Sequence, residues 1–169
     1  VDRASHIRDK IIEMNHLNET LYCGSLACAS EGQREPCRTY YVNTLLANVN
    51  KQNITRFPYE IARLAQDCAG GLLVTLPSER DFRSQDIGAL LDKYCSAKPD
   101  VPTEHRMRIL RLIENITMGA AAVGYLAESM HGAGSPQAQR IMISRLIDME
   151  EKKNLAKKLC GVEKGGPFV

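Results

Sequence analysis

The chain has 169 residues, a length that suits one domain with a single substantial core. Its formal charge is +2, spread over mixed acidic and basic residues without a basic stripe, which excludes an electrostatic case for nucleic acid. No apolar run reaches the roughly 18 residues of a membrane span, and 5% aromatics with no Trp suit a helical protein better than an all-β one.

The opening VDRASHIRDK has neither initiator Met nor an apolar signal region. The expectation is a piece of a longer cytoplasmic protein or a product of processing. Residues 5–22 carry Ile7, Ile11, Ile12, Met14, Leu17 and Leu21 among charges, spacings of three and four that predict an amphipathic helix. The small-residue run CGSLACASEG then loosens the pattern, and Gly32 with Pro36 breaks it. Residues 38–51 read as a second helix. Phe57-Pro58 opens a third that Gly70-Gly71 stops. LLVTLP follows as a strand-like connector or buried loop, and DIGALLDKYC as a modest fourth helix. Beyond Pro99 and Pro102 the longest helix is expected from Thr103 to Met130, its GAAAVG stretch at 119–124 allowing a close helix neighbour. The last is expected from Ser135-Pro136 to Leu159. The fold class is all-α, an up-down helical bundle spanning residues 1–169 as one domain.

Six cysteines in a chain with an adequate core do not demand a disulfide framework. Cys68, Cys95 and Cys160 read as small buried hydrophobes. Cys23, Cys28 and Cys37 lie nearer His16 in the sequence. On a helix, His16 and Cys23 are nearly two turns apart, on one face, with Cα atoms about 10.5 Å apart. A single zinc ion with bonds of about 2.0 to 2.3 Å fits that separation poorly. An iron–sulfur cluster, whose irons are held separately, fits it better. A core thiol with a helix-face histidine is the bland alternative, and a four-donor set adding Cys28 and Cys37 is a further one.

Two other stretches invite a ligand. In ESMHGAGSPQAQR a helix ends in a glycine turn and another begins at Ser135 with Pro136 in its first position, so free N–H groups and the helix dipole favour an anion. Gly132 and Gly134 let phosphates approach the backbone, and Gln137 and Gln139 offer amides. An ordinary helix corner uses the same residues. In NKQNITRFPYE, Lys51, Gln52 and Arg56 are candidate phosphate or adenine contacts, or simply a solvated loop.

Three segments together, HLNETLYC, NVNKQNITRFPYEIARLAQDCAGG and TMGAAAVGYLAESMHGAGSPQAQRIMISR, resemble the C-terminal part of the 4-hydroxybutyryl-CoA dehydratase/vinylacetyl-CoA isomerase family, within the wider 4-hydroxyphenylacetate 3-hydroxylase group of flavoproteins. The resemblance covers essentially the whole chain. It implies a bundle like the C-terminal domain of acyl-CoA dehydrogenase-like flavoproteins, with an N-terminal helical domain and a central β domain absent from these residues. It implies a [4Fe–4S] cluster with His16 and Cys23 as metal ligands, two more cysteines coming from the N-terminal half. It implies FAD against the bundle, touched by Gln52, Arg56, Gly134, Ser135 and Gln137. Glu128 becomes the candidate catalytic base and His16 a catalytic ligand, for radical dehydration of an acyl-CoA substrate to crotonyl-CoA, with burial raising the Glu128 pKa.

The implied assembly is a homotetramer, or this chain with an N-terminal partner subunit; no nucleic-acid or membrane partner is expected. Two alternatives stand beside this: the matching domain of a flavin-dependent 4-hydroxyphenylacetate 3-monooxygenase, which needs no cluster, and a non-catalytic helical oligomerisation module.

Overall fold

A computed structural model describes residues 4–162. The chain is all-α, a helical bundle, as the sequence predicts. It opens with the long helix α1, Ser5–Ser30, then a two-stranded antiparallel hairpin of β1, Gln33–Arg34, and β2, Tyr40–Tyr41. Next come α2, Thr44–Ile54, and α3, Phe57–Ala69, followed by a 3-10 turn at Gly71–Thr75. Two short helices, α4 at Glu79–Phe82 and α5 at Gly88–Cys95, lead into α6, Thr103–Thr117. A π turn at Val123–Ala127 precedes α7, Glu128–Ala133; α8, Pro136–Leu146, and α9, Met149–Leu159, complete the order.

Helix α2 lies between α1 and α8 and also meets α7, while α3 packs on α1 and α6. These contacts put α1 and the α7–α8 corner on either side of one shared helix. Gly24 makes the α1–α2 approach possible: a Cβ there would stand 2.4 Å from Asn50 Oδ1. The buried Asn50 uses the space to donate from Nδ2 to Ser25 Oγ at 2.9 Å. Lys10 pairs with Asp67 at 2.8 Å, tying α1 to α3, and Gln66 Nε2 donates to the Thr117 carbonyl at 3.2 Å, tying α3 to the end of α6. Thr103 Oγ1 donates to the Asp92 carbonyl, and Arg106 to the Cys95 carbonyl, so α5 and α6 are joined at the buried Cys95.

The structure differs from the sequence reading most in four places, and LLVTLP, expected as a strand-like connector or buried loop, lies mainly in the 3-10 turn with only Leu73 buried. Helix α1 runs on through CGSLACAS to Ser30, because Ala, Leu and Ser tolerate a helix well and no Gly-Pro pair intervenes before Gly32. Residues 38–43 are hairpin and turn; Tyr40, Tyr41 and Val42 favour extended backbone, and Asn43 caps α2 by accepting from Leu46 N–H at 3.0 Å. The helix expected over 103–130 breaks after Thr117, where Met118 and Gly119 both donate to the Glu114 carbonyl. There the GAAAVG stretch interrupts the helix. The final helix is two, since Asp148 caps α9 by accepting from Glu151 N–H at 2.8 Å.

The core is thin. Leu17, Ala62, Leu64, Leu73, Cys95, Leu110 and Ala133 are its buried apolar residues, and no large side chain falls below 2% exposure among the described residues. Of the thiols expected inside, Cys95 is buried and Cys68 half-buried, but Cys160 is exposed. Cys160 sits just past α9, whose residues are all exposed, so nothing in the described chain covers it. No described helix is long and apolar enough to cross a membrane.

Candidate functional site

Both proposed metal ligands lie on α1. The seven-residue spacing brings His16 and Cys23 within about 20° of the same direction around the helix, and both are exposed. Leu17, the next residue, is buried, so the helix is fixed with this stripe outward. His16 is 68% exposed, and the Glu13 carboxylate stands 3.5 Å from its Nδ1. A carboxylate beside Nδ1 favours the Nδ1–H tautomer and leaves Nε2 with the lone pair a metal needs. Thr20, between the two on the same stripe, donates its hydroxyl to the His16 carbonyl at 2.7 Å. Gly24 and Ser25, next to Cys23, are the residues locked against Asn50.

The four-donor alternative is not assembled. Cys28 is half-buried on another face of α1, its thiol directed to the Ser25 carbonyl at 3.2 Å. Cys37 lies in the exposed hairpin loop, where hydrogen bonds from the Thr39 hydroxyl and backbone hold its pKa below the ordinary thiol value. No group of three or more His, Cys, Asp or Glu side chains converges as a metal site among the described residues. The donor chemistry on α1 thus fits half of a cluster's ligand set: one imidazole and one thiol, accessible and on one stripe.

The glycine corner forms as expected. Helix α7 ends at Gly134, whose φ of 89° is a conformation that favours glycine. Ser135 caps α8 by accepting from Ala138 N–H, and Pro136 takes the first helical position. Gly134, Ser135 and Gln137 are exposed. Pro136 has no N–H and that of Ala138 is used by the cap, so the Gln137 N–H is the first-turn donor left for a ligand. Gln139, by contrast, points inward and is spent on the corner itself: Nε2 donates to the Ala133 carbonyl at 2.6 Å and the Gly134 carbonyl at 3.2 Å.

The remaining candidates are less alike. Gln52 is half-buried in the last turn of α2, with Nε2 donating to Thr55 Oγ1 at 3.3 Å. Arg56 is exposed in the short link before α3. Glu128 opens α7 directly after the π turn, its Oε2 within 3.5 Å of where a Gly124 Cβ would stand. It is exposed, so the burial expected of a catalytic base is not supplied by the described residues. Sequence reasoning missed a cleft of about 900 Å³ between α4, α5 and α6, floored by Phe82, Met107 and Leu112 and edged by Arg83, Arg108 and Arg111. Its lining comes from segments separated in the chain, so no local motif marks it, and none of the expected site residues borders it.

A family model described as the 4-hydroxyphenylacetate 3-hydroxylase C terminal matches residues 1–161. The chain belongs to this family. A 4-hydroxybutyryl-CoA dehydratase/vinylacetyl-CoA Δ-isomerase from Clostridium aminobutyricum is 57% identical over 95% of this chain and 34% of its own length. An oxygen-tolerant archaeal 4-hydroxybutyryl-CoA dehydratase from N. maritimus superposes with a TM-score of 0.89 at 58% identity, over 99% of this chain and 34% of that one. The oxygenase component of 4-hydroxyphenylacetate 3-monooxygenase, solved with FAD and 4-hydroxyphenylacetate, shares the fold at TM-score 0.81 and 18% identity, over 95% and 33% of the two chains. This member of the 4-hydroxyphenylacetate 3-hydroxylase C-terminal family therefore spans about a third of the length of the relatives it matches.

Proposed function

We propose that the chain is the C-terminal helical portion of a cytoplasmic, tetrameric 4-hydroxybutyryl-CoA dehydratase/vinylacetyl-CoA isomerase that uses FAD and a [4Fe–4S] cluster to form crotonyl-CoA. The observation that carries this is the exposed His16–Cys23 stripe of α1 in a chain 57% identical to a protein of that name. In this reading an N-terminal helical domain and a central β domain complete the protein.

His16 and Cys23 would hold one side of the cluster, the other donors coming from outside the described residues. The bound groups would supply a Lewis-acid iron for a departing hydroxide and one-electron flavin chemistry. Glu128 receives the substrate's α-proton on its carboxylate. Because it is exposed here, surfaces packing on α7 in the whole protein must exclude water and raise its pKa. Gly134, Ser135 and Gln137 would hold the FAD phosphates at the corner, with Gln52 and Arg56 contributing from the α2–α3 link. Arg56 brings a fixed positive charge there.

The test is the full-length protein prepared without oxygen. Conversion of vinylacetyl-CoA to crotonyl-CoA and bound iron are expected in the native protein, and His16→Ala or Cys23→Ser should lose at least about 100-fold activity with the iron, since losing a group that merely hydrogen-bonds a metal ligand costs roughly 10–100-fold. A native protein with neither iron nor turnover sinks the proposal. Hydroxylation of 4-hydroxyphenylacetate indifferent to His16 and Cys23 would move it to the monooxygenase branch.

A further inference from the structure

Gln139 is 3% exposed, less than any apolar core residue, the lowest of which is Leu73 at 4%. Its amide hydrogens go to the Ala133 and Gly134 carbonyls, the last of α7 and the first beyond it, which a helix end leaves without intrahelical partners. Its Oε1 is buried with no partner among the described residues. Two neutral hydrogen bonds gained against one desolvated acceptor leave little net stability. Stability therefore does not account for a polar side chain here. Geometry does: the amide crosses from α8 back to the residue that turns the chain, reaching within 4.0 Å of the Gly134 Cβ position, and so sets where Ser135 and Gln137 stand.

We infer that Gln139 is the positioning residue of the glycine corner, holding Gly134 in its left-handed conformation so that Ser135 and the Gln137 N–H face the flavin's phosphates. This rests on the proposed function for the identity of the ligand, while the pinning of the corner is independent of it. Removing the amide lets the corner relax without touching any ligand-facing group.

The experiment uses full-length protein, FAD titration by flavin fluorescence, and hydrogen exchange of the segment 133–138. Gln139→Leu should weaken FAD by about tenfold, the worth of one to two neutral hydrogen bonds, and speed exchange in 133–138. Gln66→Leu, which removes a comparable amide-to-carbonyl bond between α3 and Thr117, should leave both readouts native. Gln139→Glu should bind FAD weakly at about pH 8 and recover as the pH falls, because a buried carboxyl facing carbonyls has a raised pKa and donates again once protonated. That recovery separates positioning from a folding defect, and it decides the matter if the leucine variant does not fold. Native affinity and native exchange in both Gln139 variants overturn the inference, as does an equal loss in Gln66→Leu. If native protein binds no FAD, the flavin reading fails, and exchange at the corner alone then decides for or against Gln139.

Discussion

At the scale of single residues, small groups decide what can stand beside the ligand stripe. Gly24 follows Cys23, and its missing Cβ is the space Asn50 occupies. Gly24→Ala forces the buried Asn50 amide off Ser25 and overpacks the α1–α2 contact. The expected cost is about 1–3 kcal/mol, read as a fall in the midpoint of thermal unfolding. Cys37 behaves differently because it is fully exposed. Its thiolate accepts from Thr39, so the charged form is favoured and alkylation should reach its half-maximal rate below the ordinary thiol pKa of about 8.5. Thr39→Val removes the largest cause and should move that profile back up, as site-resolved mass spectrometry after timed alkylation will show. Neither effect was legible from residue type alone: the partner of Gly24 lies on another helix, and Thr39, though only two residues from Cys37, is brought to the thiol by the fold of the loop.

At the scale of elements, helix α1, helix α3 and the glycine corner were readable because their signals are local. Pro58 near the start of α3, Gly70 at its end, and the Ser135-Pro136 opening of α8 each act through their own backbone. Two of the errors fell where apolar periodicity ran across a cap. Asp148 followed by Glu151 is a start signal inside what reads as one long helix, and Asn43 ahead of Thr44 is another. The α8–α9 break gives a direct test. Asp148→Ala removes the cap on Glu151 N–H, should cost α9 about 1 kcal/mol, and should raise hydrogen exchange at residues 149–152 while leaving α8 unchanged. The placement of the candidate residues was legible in motifs: the spacing of His16 and Cys23 puts them on one stripe of α1, and Ser135 caps α8. Gln137 and Gln139 are two residues apart, about 200° around the helix and so on nearly opposite faces, but two identical side chains do not show which of them turns inward.

At the scale of the whole molecule, the thin core and the many exposed large side chains belong together. Tyr22 and Leu26 stand out on α1, Tyr40 and Tyr41 on the hairpin, and Val123 and Tyr125 on the π turn. Apolar surface of this extent is what an element shows when its covering partner lies elsewhere. Under the proposed domain arrangement, the isolated 169-residue chain should bind a hydrophobic fluorescent dye and unfold at a midpoint at least about 10 °C below the full-length protein, a shift worth roughly 3–5 kcal/mol in a domain of this size. Equal midpoints and no dye binding would mean the bundle needs no cover.

The π turn ahead of α7 carries a consequence of its own. A turn that takes in one residue beyond the usual count rotates everything after it by about 100° relative to an unbroken helix. Glu128 owes its azimuth to that surplus residue. Excising one residue from 123–127 would restore ordinary winding and turn the Glu128 carboxylate about 100° around the helix axis relative to the residue before the turn.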